Sequence, residues 1–278
     1  MASVSESVIS NEIIAFDTLC ILAIVLLVAC ILPVLLTSSI QRSKVWHGLL
    51  ASWLAYSLSY IILMGHQSGP SPPHTVCVFQ TLVIYGAPAV GSVGTACYII
   101  EVFLLIKSSA SNSSGPSQTV VQLLVLLPWM IFLSVFAETT FFIATGSVVS
   151  RSSNRLYCHL ESVVPSIVTT VIVVIAAVTS LALEVTLFYR NIFTARRNRL
   201  PINFSVPGGR AIYIRMGFFT MMLFLGILIG ILSFFVNTFS IEWGIVLPTA
   251  PILVALSFAT QKDILRSWSF CYTHCKPS

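Results

Sequence analysis

The sequence has little charge: Asp, Glu, Lys and Arg make up 8% of its 278 residues, whereas hydrophobic residues make up 56%. A soluble domain usually carries about 25% charged residues. There is too little charge here to cover a surface that faces water. The scarcity excludes an ordinary soluble fold and predicts that lipid covers most of the outside.

Seven apolar runs are long enough to cross ~30 Å of hydrocarbon at ~1.5 Å per helical residue. The first run is too long for a signal-peptide core of ~7–15 residues and follows Glu6 and Glu12 rather than Lys or Arg. We therefore predict a retained first helix. Only residues 237–242 separate the last two runs, and one long tilted helix is the alternative there. The predicted spans are 13–36, 46–65, 76–106, 119–145, 163–189, 211–238 and 241–260.

Basic residues lie almost entirely on one side of the predicted bundle. Of 14 Lys and Arg residues, only Arg151 and Arg155 fall opposite the carboxyl terminus. Because cytoplasmic loops carry an excess of Lys and Arg, the carboxyl terminus is predicted in the cytoplasm and the amino terminus outside. The sequence thus predicts an all-α membrane protein, a seven-transmembrane helix bundle in the plasma membrane. Residues 1–12 form its extracellular tail, 13–260 its transmembrane domain and 261–278 its cytoplasmic tail.

Recognisable catalytic and metal-binding motifs are also lacking. The chain has no His-Glu-x-x-His, Gly-x-Ser-x-Gly, Walker loop or Cys-x-x-Cys pattern. Its five histidines lie at predicted helix ends or in loops, and the seventh run has no central Lys for a retinal Schiff base. We expect no enzyme activity, no metal and no cofactor. The net charge of +5 is explained by phospholipid headgroups, so no nucleic-acid partner is expected.

Two cysteines are predicted on the outer side. Cys77 begins the third run, and Cys158 lies in the loop between the fourth and fifth runs. Disulfides persist in an oxidising compartment, so we expect a bridge that holds this loop over the mouth of the bundle. Two unrelated free thiols are the alternative. The cysteines inside apolar runs are expected to be small core residues: Cys20, Cys30 and Cys97.

Four segments carry a family resemblance. They are Cys77-Val-Phe-Gln-Thr-Leu-Val-Ile-Tyr-Gly-Ala-Pro88, Arg155-Leu-Tyr-Cys-His159, Leu183-Glu-Val-Thr-Leu-Phe-Tyr-Arg190 and Phe258-Ala-Thr-Gln-Lys-Asp-Ile-Leu-Arg-Ser-Trp268. With the seven runs and the outer cysteines, they resemble a fungal seven-transmembrane orphan receptor-like family, which is G-protein-coupled-receptor-like. The last segment is also distantly similar to fungal pheromone receptors. The resemblance implies a membrane receptor that senses an unknown extracellular ligand and signals to a heterotrimeric G protein.

Two motifs of rhodopsin-like receptors are missing. Glu101-Val-Phe103 stands at the level where those receptors carry Asp/Glu-Arg-Tyr, and Leu247-Pro-Thr-Ala-Pro251 replaces Asn-Pro-x-x-Tyr. The usual ionic switch therefore cannot operate as it does in those receptors.

The predicted ligand pocket lies among the third, fifth, sixth and seventh helices, beneath the Cys158 loop. An apolar or amphipathic ligand is expected because few charges lie there. Depth and polarity select six candidate contacts: Gln80, Tyr85, Glu138, Tyr157, His159 and Trp243. For Glu138, a structural hydrogen bond is an equal alternative. The alternative function is a small-solute transporter or channel, for which helices broken by Gly and Pro would supply unwound backbone.

Prolines within the spans are candidate hinges, with static packing as the alternative: Pro33, Pro88, Pro128, Pro248 and Pro251. On the cytoplasmic side, loop 190–215 has six arginines and no acid. Its densest cluster suits a G-protein contact or anionic lipid equally: Arg196, Arg197 and Arg199. Beyond the seventh run, residues 261–268 predict a short amphipathic helix with its apolar residues on one side: Ile264, Leu265 and Trp268. The candidate palmitoylation sites are Cys271 and Cys275.

Overall fold

The computed structural model describes residues 6–37, 40–111, 115–152, 154–197, 217, 224, 247–261, 263–266 and 268. These residues are mostly helical, and four helical stretches are long and apolar enough to cross a membrane. The helices are α1 (Glu6–Leu36), α2 (Lys44–Ile61), α3 (His74–Ile84), α4 (Gly86–Ala110), α5 (Gln118–Ala144), α6 (Val164–Arg197) and α7 (Thr249–Ala259). Two strands, β1 (Val149–Arg151) and β2 (Cys158–Leu160), lie between α5 and α6.

Four predicted spans correspond to the membrane-length stretches Asn11–Leu36, His74–Ser109, Gln118–Ala144 and Val164–Tyr189. The second span, 46–65, corresponds to α2, which has 18 residues. The sixth, 211–238, lies outside the described residues except for Gly217 and Phe224, which are both helical. The seventh, 241–260, is described only from Leu247 and contains α7. A membrane protein is therefore supported, with four candidate spans by length and composition.

Two helices are longer than predicted. α1 begins at Glu6, so the residues before position 13 are not a tail throughout. α6 continues to Arg197, eight residues past the predicted end at 189. Neither stretch contains a Gly or Pro to stop a helix, and hydropathy marks where a helix leaves an apolar environment rather than where it ends.

The third predicted span is interrupted at Tyr85, between α3 and α4. Pro88 has no backbone N–H and cannot donate to the carbonyl of Ile84, four residues earlier. The Thr169 hydroxyl on α6 donates to the Tyr85 carbonyl at 2.8 Å. Gly86 follows directly, and a Cβ there would lie 2.7 Å from the ring of Phe132. The interruption thus brings α5 and α6 close to the α3–α4 junction.

α3 and α4 form the centre of the described bundle. In the most apolar window of His74–Ser109, 56% of the residues are buried, against 17% for α5. α4 packs against α2, α5 and α6, and α1 packs against α2 and α7. Large apolar side chains are exposed along α1, α5 and α6, as expected of faces that meet lipid: Val25, Leu32, Leu126, Met130, Val171 and Ile175.

The short strands form an antiparallel hairpin that the sequence did not predict. Arg151 pairs with Cys158, Ser150 with His159 and Val149 with Leu160. Cys158 and Leu160 are buried, whereas His159 between them is half-buried. We call residues 149–160 the cap and the end of the bundle that it covers the cap end.

Candidate functional site: the cap and the tyrosine column

A disulfide attaches the cap to α3. Cys77 and Cys158 are bonded, with Cα atoms 5.4 Å apart, which confirms the predicted bridge. Both residues are nearly inaccessible to solvent, at 5% and 0% exposure. Cys77 lies one turn before Gln80 on α3, so the bond holds β2 close to Gln80.

Gln80 adds a second attachment to the same strand. Its side-chain oxygen accepts a hydrogen bond from the Cys158 backbone N–H at 2.9 Å. Its amide nitrogen donates to the carbonyls of Ser59 and Tyr60 near the end of α2, at 3.3 and 3.4 Å. Gln80 is fully buried. Its amide therefore joins α2, α3 and the cap, and a ligand could reach these atoms only by displacing a protein contact.

Tyr85 holds the other end of β2. Its hydroxyl accepts from the Leu160 backbone N–H at 3.1 Å. The expectation that Gln80 and Tyr85 lie near the mouth is consistent with this position. Their side-chain oxygens, however, accept hydrogen bonds from backbone N–H groups of β2 and so position the cap.

Arg151 clamps the cap to the loop between α2 and α3. Its guanidinium donates to four backbone carbonyls at 3.1–3.2 Å, those of His66, Gln67, Gly69 and Pro70. Desolvation, with a smaller contribution from nearby Arg155, lowers the pKa of Arg151. The Gln67 side chain in turn donates to Asp17 on α1 at 2.8 Å. Sequence reasoning counted Arg151 only as a topology signal, although a basic residue isolated on the sparsely charged side could have indicated a structural role.

A column of tyrosines leads from the cap into the bundle. The ring of Tyr157 on the cap lies 6.4 Å from that of Tyr60, centroid to centroid. Tyr60 lies 5.0 Å from Tyr56, centroid to centroid, one turn deeper in α2. The Tyr56 hydroxyl donates to the carbonyl of Leu247, just before α7, at 3.0 Å. We call Tyr157, Tyr60 and Tyr56 the tyrosine column.

The Leu247 carbonyl precedes Pro248, the N-cap residue of α7, so it takes no part in the hydrogen bonds of that helix. Burial raises the pKa of Tyr157 on the cap, and Tyr56 and Tyr60 are each only 4% exposed. The column therefore links the cap to the start of α7 through buried contacts.

The remaining candidate contacts are not gathered at one point. His159 lies on β2 beside Ser150, and burial lowers its pKa while the Ser150 backbone and Glu161 oppose that shift. Glu138 is half-buried on α5, and none of the hydrogen bonds described for the cap involves it. Trp243 lies outside the described residues. The structure thus brings Gln80, Tyr85, Tyr157 and His159 together around the cap.

At the other end of the bundle, Glu101 is 4% exposed and accepts a hydrogen bond from the Ser43 hydroxyl at 2.7 Å. Glu101 is thus held by a contact within the bundle. Ser43 is the N-cap residue of α2. Its hydroxyl donates to Glu101, and the same oxygen accepts a hydrogen bond from the backbone N–H of Trp46. Of the predicted arginine cluster, Arg196 and Arg197 belong to α6, whereas Arg199 lies outside the described residues.

The segment after α7 is helical at residues 263–266 and 268. The three apolar residues that the sequence places on one side of this segment differ in exposure. Ile264 is buried at 1% exposure, whereas Leu265 and Trp268 are 55% and 42% exposed. Ile264 joins the core that α1, α2 and α7 form, so packing against the bundle takes precedence over a single lipid-facing side. Cys271 and Cys275 lie outside the described residues.

Within the part of the chain that the structure describes, no group of three or more His, Cys, Asp or Glu residues is arranged to hold a metal ion. No protein-family model matches the sequence, and no curated protein matches it significantly. The resemblance to receptors therefore stays a hypothesis that the quoted residues carry alone.

Proposed function

We propose that the protein is a G-protein-coupled-receptor-like receptor of the plasma membrane, with the cap end outside and the carboxyl terminus in the cytoplasm. It would sense an apolar or amphipathic extracellular ligand through a seven-helix bundle. The observation that supports this proposal best is the tyrosine column. It provides a continuous contact from the cap to the start of α7.

The column suits a shift between two arrangements of the bundle. A ligand that displaces Tyr157 changes the packing of Tyr60 and Tyr56. The hydrogen bond from Tyr56 to Leu247 then passes the change to α7. The cap is firmly attached on both sides of Tyr157, at Arg151 through its four bonds to the α2–α3 loop and at Cys158 through the disulfide. A small displacement of this residue is therefore transmitted rather than lost in loop motion.

The extension of α6 favours a signalling role for the opposite end. α6 continues from Tyr189, the end of its apolar stretch, through Arg197. Eight residues at ~1.5 Å each carry this helix ~12 Å beyond the apolar stretch. Arg196 and Arg197 would then lie where an acidic surface of a G protein can meet them, with association steered by charge.

The transporter alternative receives less support from the same contacts. Transport through broken helices uses unwound backbone groups that line a path. Here the Tyr85 carbonyl at the α3–α4 interruption binds Thr169, and the Leu247 carbonyl binds Tyr56. Both groups are occupied by the protein itself.

The test is a yeast reporter strain that lacks its own pheromone receptors and carries a chimeric G protein. A panel of fatty acids, sterols and lipopeptides is applied from outside. We expect at least one class to raise reporter output. Tyr56→Phe, which removes one hydroxyl, is expected to reduce that response at least tenfold with unchanged surface expression. Thr140→Val, which removes a hydroxyl from an exposed face of α5, is the matched control.

Two results would contradict the proposal. The first is a response that Tyr56→Phe leaves unchanged, which would remove the column from the signal. The second is saturable uptake of a solute by proteoliposomes that contain the protein, without any reporter response. That result would favour the transporter.

A further inference from the structure

Pro33 leaves one carbonyl of α1 without its helical partner. The N–H of residue 33 would normally bind the Ala29 carbonyl, and proline has no N–H. The helix resumes directly afterwards, since the Thr37 N–H donates to the Pro33 carbonyl at 3.0 Å. Ala29 lies inside the membrane-length stretch Asn11–Leu36. An unsatisfied carbonyl there is costly because hydrocarbon offers no hydrogen bond.

A tryptophan from the other end of the chain occupies this carbonyl. The indole N–H of Trp268 donates to the Ala29 carbonyl at 3.1 Å, across 239 residues of sequence. An indole nitrogen can only donate, and a carbonyl freed by proline can only accept. Each group therefore satisfies the hydrogen-bonding requirement of the other.

Two further contacts fix the same segment. Asp263 forms an ion pair with Arg42 before α2, with 3.2 Å between the nearest atoms. Ile264 is 1% exposed and belongs to the core that includes Val34 and Trp46. The segment is thus attached by a charge at its beginning, by an apolar side chain next to it and by the Trp268 hydrogen bond at its end.

We propose that residues 263–266 and 268 form a strap across the end of the bundle opposite the cap, with Trp268 as its anchor on the carbonyl that Pro33 frees. The strap ties the segment after α7 to α1 and to the residues before α2. Any movement of α7 must then either carry the strap or break the anchor. This inference does not depend on the proposed function, because it rests on contacts that a receptor and a transporter would share.

A single substitution on a different helix tests the anchor without touching Trp268. Pro33→Ala restores the N–H of residue 33, which competes for the Ala29 carbonyl within α1. The measurement is hydrogen exchange of the Trp268 indole N–H by ¹⁵N NMR of the full chain in lipid nanodiscs. The signal is assigned by its disappearance in Trp268→Phe. We expect Pro33→Ala to accelerate its exchange about fivefold to tenfold, the effect of losing one net hydrogen bond.

Pro128→Ala on α5 is the matched control, because it restores a helical N–H far from the strap and is expected to leave the Trp268 signal unchanged. A second measurement compares unfolding midpoints. Trp268→Phe is expected to lower the midpoint in the original chain and to lower it less when Pro33 is already Ala. Unchanged indole exchange in Pro33→Ala, or equal effects of Trp268→Phe in both backgrounds, would overturn the proposal.

Discussion

Replacing Gln80 by Met should open the cap without leaving a large cavity. Met has nearly the same length but makes none of the three hydrogen bonds of the Gln80 amide. The main loss is at Cys158, whose buried N–H would be left without its acceptor. A buried donor without a partner costs about 1–3 kcal/mol. The two longer bonds to the end of α2 add a smaller amount, so we expect the cap to be weakened by about 2 kcal/mol.

That free energy corresponds to about a 30-fold increase in the population with an open cap. The disulfide reports on this population, because Cys77 and Cys158 are 5% and 0% exposed and a reductant must wait for the cap to open. The assay is the rate at which dithiothreitol reduces the bond in folded protein. We expect Gln80→Met to raise this rate about 30-fold.

Gln122→Met is the control, because Gln122 is exposed on α5 and its replacement should not alter the rate. The reasoning fails if Gln80→Met reduces at a rate within twofold of the original chain. It also fails if the control accelerates reduction equally, since the effect would then come from general loosening.

Three further predictions concern packing, pH and the clamp. Gly86→Ala should destabilise the protein by about 1–3 kcal/mol, because its Cβ would lie 2.7 Å from an aromatic ring on α5. Gly48→Ala, whose nearest neighbour would be 4.0 Å away, should be neutral or stabilising, and thermal unfolding in detergent distinguishes the two. Burial lowers the pKa of His159, so the neutral form favours the closed cap. Cap stability should be greatest above pH ~6.5 and fall as the pH drops towards the lower folded-state pKa, a dependence that should weaken in His159→Gln. Arg151→Lys should speed hydrogen exchange in the loop 66–70, because an ammonium cannot reproduce the four guanidinium contacts, and unchanged exchange there would remove Arg151 as a clamp.

The long helices could be predicted because each is a continuous apolar run, and in lipid such a run must satisfy its own backbone as a helix. The cysteine pair could be predicted because the pattern of apolar runs and basic residues predicts both cysteines on one side of a membrane. The hairpin could not, because each strand has three residues, too few to show an alternating pattern. Helix ends were also misplaced. Hydropathy changes near residue 189, whereas the backbone of α6 has no reason to stop before Arg197.

The sequence predicted where the residues of the candidate site lie but not what they do. Depth and polarity selected Gln80 and Tyr85 near the mouth, and both lie at the cap. Their partners are backbone N–H groups of β2. No sequence pattern predicts these contacts. A polar residue at the end of a span satisfies either a ligand or a nearby loop, and composition alone does not distinguish the two.

The prolines carry more information than their use as candidate hinges suggested. A proline within an apolar span frees the carbonyl four residues earlier, and water is not available to satisfy it. The Ala29 carbonyl, which Pro33 frees, receives the Trp268 indole N–H, and the Leu247 carbonyl, which precedes the N-cap residue of α7, receives the Tyr56 hydroxyl. Both donors come from distant parts of the sequence, and both contacts attach α7 or the segment after it. Pro33 therefore marks a place where a distant part of the chain docks, and the two contacts together hold the start of α7 and the segment after it.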